Sequence, residues 1–342
     1  MQNPGGAVAT ERRRATIYDV AQAAGVSKSL VSLVLRDSPS VSAPRRAAVL
    51  AAIKELDYRP SQAATALAGG TSQTVGVVID DYTNAWFVEL LRGLQEGLAS
   101  AGLRIAVSDR TLNTHVESDP LDGFLSTRVE ALVLATEPTP AMRFSSQIPV
   151  IVVGNRATQV PGADVASSDD RLGTRQAIEH LVSLGHRNIG HIGGGGGSSM
   201  LRLAGYQEAM KAAGLDEHVV SVSELTTEDT GYRCAQRLLD EDPDTTAILA
   251  ANDSMAMGAM AAAQAAGLSV PGDLSIIGYD NSPLSGTHLL HLTTVDSRNH
   301  DLGLHVAQQV LSRLADPGRD AQRVLLEPLL IERGTCAAPR RP

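Results

Sequence analysis

Apolar residues recur at helical spacing in three short stretches near the start of the chain and then, from residue 74 onward, gather into compact runs. In the first stretch Thr16 stands three residues before Asp19, the spacing of a capping box. Ile17, Val20, Ala21 and Ala24 form one stripe, and Gly25 follows where a helix end needs a left-handed residue. After only Gly25 and Val26, Ser27 caps a second helix that runs to Leu35. Its spacing predicts a buried face of Val31, Val34 and Leu35, which leaves Leu33 nearly opposite, pointing outward. Ser42 before Pro44 caps a third helix to about Asp57, with Val49, Leu50, Ile53 and Leu56 on its inner face.

Two short helices joined by a tight Gly turn, with a third burying their shared side, make a helix-turn-helix arrangement, whose second helix enters a DNA major groove. That gives Leu33 a use, because an outward apolar side chain can pack on a thymine methyl, with burial against a neighbouring element as the alternative. Lys28 and Ser29, at the start of the same helix, are placed to reach hydrogen-bonding base edges. Residues 1–15 lack periodicity and read as a disordered arm, in which Arg12, Arg13 and Arg14 are a solvated charge run or phosphate contacts. Beyond YRPS at 58–61, the stretch QAATALAGGTSQ is helix-prone to Leu67 and broken by Gly69 and Gly70. It is too short to be stable alone, so it either folds against a partner or serves as a flexible linker.

From residue 74 eight apolar runs (TVGVVID, LRIAVSD, EALVLAT, PVIVVGN, NIGHIGG, HVVSVSE, TAILAAND and LSIIGYD) alternate with amphipathic stretches such as WFVELLRGLQEGLA. The alternation predicts parallel sheets with crossover helices, and the long crossing near Val165 to Gly173 predicts two lobes of four strands each. Several runs end in polar groups: Asp80, Asp81, Asp109, Asn155, Arg156, Asn252, Asp253 and Asp280. Parallel sheets bind ligands beyond the carboxyl ends of their strands, so two facing lobes would aim these groups into a shared cleft. For Asp280 the alternative is a structural carboxylate capping the turn through Asn281 and Ser282.

Charge sharpens this division. Residues 1–60 carry nine Lys/Arg against five Asp/Glu, in a chain of 342 residues whose net charge is −9. The basic sixth of an acidic protein is where a polyanion would land. Two cysteines, Cys234 and Cys336, make a disulfide framework improbable and fit a reducing compartment. No apolar run is long enough to span a bilayer, and the first residues lack the pattern of a signal peptide, so a cytoplasmic protein is expected.

The order of motifs resembles the lactose-repressor (LacI/GalR) family of bacterial transcription regulators, from about Thr16 to Glu332. The densest match is TIYDVAQAAGVSKSLVSLVL with AAIKELDYRPSQAATALAGGTSQTVGVV, followed in family order by HLVSLGHRNIGHIGG, RLAGYQEAM, AANDSMAMGA, GYDNSPLS and LTTV. The resemblance implies a small all-α helix-turn-helix headpiece at 16–60 and a hinge helix and linker at 61–72. It also implies an α/β two-lobed, periplasmic-binding-protein-like sensor at 73–340. In that sensor the first lobe spans about 73–172 plus a return at about 296–323, and the second about 173–295 plus the C-terminal segment.

DNA contact is implied for Thr16, Tyr18, Ser27, Lys28, Ser29, Ser32, Leu33, Arg36, Ala64 and Leu67, the last as a wedge that kinks the operator centre. Leu33 and Ser61 depart from the common family residues, arginine and asparagine, so the outer operator bases are expected to differ. Effector contact is implied for Trp86, Phe87, Arg156, Arg202, Asn252 and Asp280, although Ala85 departs from the family's proline. A flat aromatic with an amide, a carboxylate and guanidinium forks suits a sugar, and would also suit a purine.

The expected function is a repressor that binds a palindromic double-stranded DNA operator as a homodimer, since one recognition helix covers too little DNA for useful specificity. A small effector, a sugar in the first reading and a purine in the second, would control it. The segment ERGTCAAPRRP carries no heptad helix, so a tetramer through a C-terminal coiled coil is not expected. Neither cofactor nor metal is expected. An enzyme is disfavoured: the run GGGGG at 193–197 lacks the Lys-Ser/Thr ending of a P-loop, no G-x-S-x-G occurs, and the nine histidines show no metal-ligand spacing. A stand-alone sugar-binding protein is the remaining rival, opposed by the basic headpiece.

Overall fold

The computed structural model describes residues 15–58, 72–110, 112 and 120–340, which fall into two compact units dividing after Ser72. Arg12, Arg13, Arg14, Ser61, Ala64 and Leu67 lie outside the described residues. The first unit comprises α1 (Ile17–Ala23), α2 (Lys28–Leu35) and α3 (Ala43–Glu55). Both bonds of the capping box form at Thr16 and Asp19, and Gly25 takes a φ of +64° at the turn. The Ser27 hydroxyl accepts from Leu30 N at 3.3 Å. Ser42 occupies the N-cap of α3, but its side chain makes no capping bond.

Val20, Val31 and Val49 are fully buried at the centre of this unit, joined by Ala21, Val34, Val41, Ala52 and Tyr58. Two expected core residues turn outward: Leu35 is 37% exposed and Leu50 52% exposed. The stripe of α2 runs through Leu30, Val31 and Val34, and that of α3 through Val49, Ala52 and Ile53. Leu35 and Leu50 each sit one residue, about 100°, to the outer side of those stripes. Three short helices meet along narrow seams, which leave no room for a wider apolar face.

The second unit holds two sheets of six strands rather than four. The first contains β1 (Thr74–Ile79), β2 (Arg104–Asp109), β3 (Ala131–Ala135), β4 (Val150–Val153), β5 (Asp164–Ser168) and β11 (Arg323–Leu326), in the order β11-β5-β4-β3-β1-β2. All its pairings are parallel. The second contains β6 (Ile189–Gly193), β7 (His218–Ser221), β8 (Ala247–Ala250), β9 (Ser275–Tyr279), β10 (Thr293–Asp296) and β12 (Leu329–Ile331), in the order β12-β10-β9-β8-β6-β7. Only β12 is antiparallel.

All eight apolar runs form strands, as buried parallel strands require. Of the four extra strands, β5 and β10 are rich in Asp, Ser and Thr, whereas β11 and β12 are short apolar stretches at the sheet edges. The stretch expected to be a crossing, Val165 to Gly173, holds most of β5 and the start of the next helix. Asp164 at the head of β5 is fully buried because Arg313 (2.8 Å), Arg319 (2.7 Å) and the backbone of Gln322 (2.6 Å) neutralise or bond it. Within β10, the Thr294 hydroxyl donates to Asp253 at 2.6 Å. Polar residues become strand interior here because partners distant in sequence satisfy them.

Helices α4 (Trp86–Ala99), α5 (Pro120–Ser126) and α10 (Asn299–Ala315) cover the first sheet; α6 (Asp170–Ser183), α7 (Gly197–Ala213), α8 (Glu228–Glu241) and α9 (Asp253–Ala265) cover the second. The chain passes between lobes after β5, after β10 and between β11 and β12, so the return segment runs through Leu326, past the expected limit of 323. The carboxyl ends of β1, β4, β6, β8 and β9 deliver the residues described next. No described helix is long and apolar enough to cross a membrane.

Candidate functional site

In the first unit the outward face of α2 presents Lys28, Ser29, Leu33 and Arg36, all exposed, with Ser32 half-buried between them. Leu33 is 37% exposed, so it does not bury against a neighbour within this unit. Arg36 folds back along its own helix, donating to the Ser32 hydroxyl at 2.8 Å and the Ser32 carbonyl at 3.4 Å. Lys28 Nζ instead reaches across to α1 and donates to Tyr18 Oη at 3.2 Å. Thr16 and Ser27 have their hydroxyls engaged in capping. The candidates Ala64 and Leu67 lie outside the described residues.

In the second unit a cavity of about 630 Å³ is lined by Trp86, Phe87, Arg156, Arg202, Asn252 and Asp280 together. These residues come from four separate strand ends and one helix. Trp86 and Phe87 open α4 beyond β1, and their rings meet edge to face at 5.0 Å. Phe87 is sunk into the core and mainly supports the half-buried Trp86. Arg156, beyond β4, donates from Nε (3.1 Å) and Nη2 (2.8 Å) to the Val153 carbonyl, with Asp80 3.9 Å away. Burial lowers its pKa, while Asp80, Glu137 and Asp170 oppose that shift. Asn252 caps α9 through Met255 N at 2.8 Å and donates to both oxygens of Thr226 at 3.0 Å.

Arg202 is the hub. Its Nε donates to Asp170 at 2.9 Å, Nη1 to the Ala251 carbonyl at 2.5 Å, and Nη2 pairs with Asp280 at 3.1 Å, while the guanidinium lies 3.7 Å from the Tyr279 ring centroid. Burial works against its charge, but Asp170 and Asp280 outweigh that and hold its pKa above the usual arginine value. The network continues into the chain crossings. Asn155 Nδ2 donates to Asp170 at 2.6 Å, and Asn299 Nδ2, at the start of α10, donates to the Asp280 carbonyl at 2.8 Å.

Asp280 has a φ of +104°, a region that favours glycine, and is held there by the bond from Asn299 and by its own N–H to the Val295 carbonyl at 2.8 Å. It does not cap the following turn; the acceptor for Ser282 N is Asp253, at 2.7 Å. Burial raises the Asp280 pKa to about 8, with Arg202 pulling the other way. A carboxyl with a raised native pKa contributes stability that is full below its unfolded value near 4 and is lost as pH climbs through about 8. Asp280→Asn, neutral throughout, is therefore expected to flatten the decline in melting temperature between pH 5 and pH 8.5. An unchanged slope would assign that decline to other groups.

The glycine run is explained by close approach rather than phosphate binding. A Cβ at Gly195 would stand 2.7 Å from the Ser223 carbonyl, and one at Gly197 would stand 2.7 Å from the Asn155 carbonyl in the other lobe. Sequence reasoning missed Asp170, Asn299 and Glu137, whose carboxylate accepts from Thr158 N at 2.6 Å and Ala157 N at 3.1 Å. Asp170 and Asn299 end no apolar run, whereas Glu137 follows EALVLAT directly, as Arg156 follows PVIVVGN, so the run's end was a signal that could have found it. Asp109, flagged in that way, lies in β2 and accepts from Tyr82 N (2.6 Å) and Leu112 N (3.0 Å) instead of lining the cavity. Among the described residues no group of three or more His, Cys, Asp or Glu is arranged to hold a metal.

Residues 16–61 match the family described as bacterial regulatory proteins, lacI family, and residues 178–336 match the periplasmic binding protein-like domain. The catabolite control protein A of Priestia megaterium is 33% identical over 310 residues, covering 87% of this chain and 92% of its own. The fold superposes on the lac repressor dimer bound to operator and the anti-inducer ONPF with a TM-score of 0.77 at 28% identity, covering 95% of this chain and 100% of that one. It also superposes on a complex of the transcriptional regulator CelR with cellobiose, with a TM-score of 0.67 at 28% identity and coverage of 94% and 100%.

Proposed function

This chain belongs to the lacI family of bacterial regulatory proteins, and from that premise we propose that it is a cytoplasmic repressor acting as a homodimer on a palindromic operator, under the control of an uncharged sugar held between its two lobes. The observation that carries the proposal is the convergence of Trp86 with Arg156, Arg202, Asn252 and Asp280 on one cavity. An indole face packs on the apolar face of a sugar ring, and the polar groups around it meet hydroxyls. The dimer follows from the economy of a two-fold protein on a two-fold site, and a lac repressor dimer holds operator in a related structure.

Charge selects the effector class. Asp80, Asp81, Glu137, Glu224, Glu228 and Asp229 line the cavity, against the guanidiniums of Arg156 and Arg202. Both guanidiniums are already bonded to protein acceptors. An acidic effector would meet net repulsion, whereas a neutral polyol meets acceptors and donors alike. The effector acts by binding one lobe arrangement better than the other, since a ligand shifts an equilibrium only through that difference.

The test is a thermal-shift panel of neutral mono- and disaccharides beside sugar acids, sugar phosphates and purine bases, followed by operator titration with any binder. A neutral sugar is expected to raise the melting temperature, since saturation at a hundred times Kd adds about 2.7 kcal/mol. Trp86→Ala is expected to weaken that binder about tenfold or more. Stabilisation by a purine or an acidic sugar, with no neutral sugar active, would reject the assigned class.

A further inference from the structure

We infer that Tyr18 is a positioning residue that sets Lys28 to read a guanine in each operator half-site. The inference rests on the operator-binding reading and extends it to one base and one supporting side chain. Lys28 is the first residue of α2, and the N-terminal residues of a recognition helix are those that contact base edges. Its ammonium lies 3.2 Å from Tyr18 Oη and 4.9 Å from the centroid of the same ring, on a different helix. Tyr18 remains 64% exposed, and Lys28 is exposed as well.

This pair does not hold the unit together. Val20, Val31 and Val49 do that, and neither Tyr18 nor Lys28 packs in their cluster. Nor does a carboxylate draw the ammonium away: among the described residues Lys28 forms no ion pair. An unrestrained lysine stem carries large rotamer freedom, which must be given up on contact with a base. The phenol removes part of that freedom beforehand and occupies one of three ammonium donors, leaving two for guanine O6 and N7. The other cation on the face, Arg36, is bonded to Ser32 further along the helix. Lys28 is therefore the cation available at the leading end.

The experiment is selection from randomised palindromic duplexes by the full-length chain, run for the wild type, Lys28→Ala and Tyr18→Phe. The wild type is expected to enrich a palindrome with guanine at one symmetric pair, preferred roughly ten- to a hundredfold over other bases. Lys28→Ala is expected to erase the preference at that pair alone. Tyr18→Phe, which keeps the ring and removes the hydroxyl, is expected to reduce it severalfold at the same pair while every other position and the melting temperature stay as in the wild type. A Tyr18→Phe protein that keeps the guanine preference, or that binds all sequences equally more weakly, overturns the inference and leaves Tyr18 as a backbone contact. A wild type that enriches no palindrome overturns the operator reading itself.

Discussion

Arg202→Ala is expected to lower the unfolding free energy of the second unit by about 3–5 kcal/mol, the usual cost of breaking a buried ion pair by removing one partner. The Asp170 side chain is 3% exposed, so its carboxylate cannot turn to water when the guanidinium is gone, and the buried Asp280 carboxyl loses the cation that favours its ionised form. The Ala251 carbonyl loses its 2.5 Å donor and the Tyr279 ring its cation at the same time. Urea denaturation followed by circular dichroism measures the loss. Arg202→Lys should recover only part of it, because an ammonium cannot reproduce a fork that reaches Asp170, Asp280 and Ala251 together. A loss below about 1 kcal/mol would mean that the network reorganises without Arg202.

The functional consequence follows from where the network leads. Asp170 begins the helix after the first chain crossing, and Asp280 holds Asn299, which begins the helix after the second. A ligand that touches Arg202 or Asp280 therefore reaches two of the three connections between the lobes through bonded groups. That is a physical route from a cleft ligand to a change in lobe arrangement.

Gly303→Val is expected to cost about 3 kcal/mol, the upper part of the range for overpacking, and to lower the melting temperature by roughly 5–10 °C. Gly303 on α10 faces Gly93 on α4, and a Cβ there would stand 2.6 Å from Leu94 N and closer still to the Leu90 carbonyl. Backbone atoms cannot swing aside as a side-chain tip can, so the two helices must separate and open the core around Leu90, Leu94 and Val306. Gly231 and Gly258 make the matching close crossing of α8 and α9 in the second lobe. Differential scanning fluorimetry on the purified variant checks the prediction. Melting within about 1 °C of wild type would show that the α4–α10 seam opens without cost.

Local chemistry made much of the first unit legible. The Thr16–Asp19 capping box, the turn at Gly25 and the cap at Ser27 involve partners three residues apart, so spacing alone specifies them. The width of the buried face was not legible. Leu35 and Leu50 continue the apolar pattern, yet point outward because the seam each helix meets is narrower than the stripe it carries. In the second unit the eight apolar runs became strands, while β5 and β10 carry polar residues that are satisfied from far along the chain, and β11 and β12 are edge strands too short for a clear pattern.

The helix-turn-helix order, the alternation that builds parallel sheets and the placing of polar residues at strand ends were already written in the chain, because each depends on neighbours within a few positions. Folding brought Trp86, Arg156, Arg202, Asn252 and Asp280 onto one cavity and tied that cavity to two lobe crossings through Asp170 and Asn299. It also decided that Lys28 leans on Tyr18 while Arg36 lies along its own helix. The difference is one of range. Periodicity reports which side of an element turns inward, whereas a buried charge or an orienting hydrogen bond depends on which distant residue the folded chain carries to within about 3 Å of it.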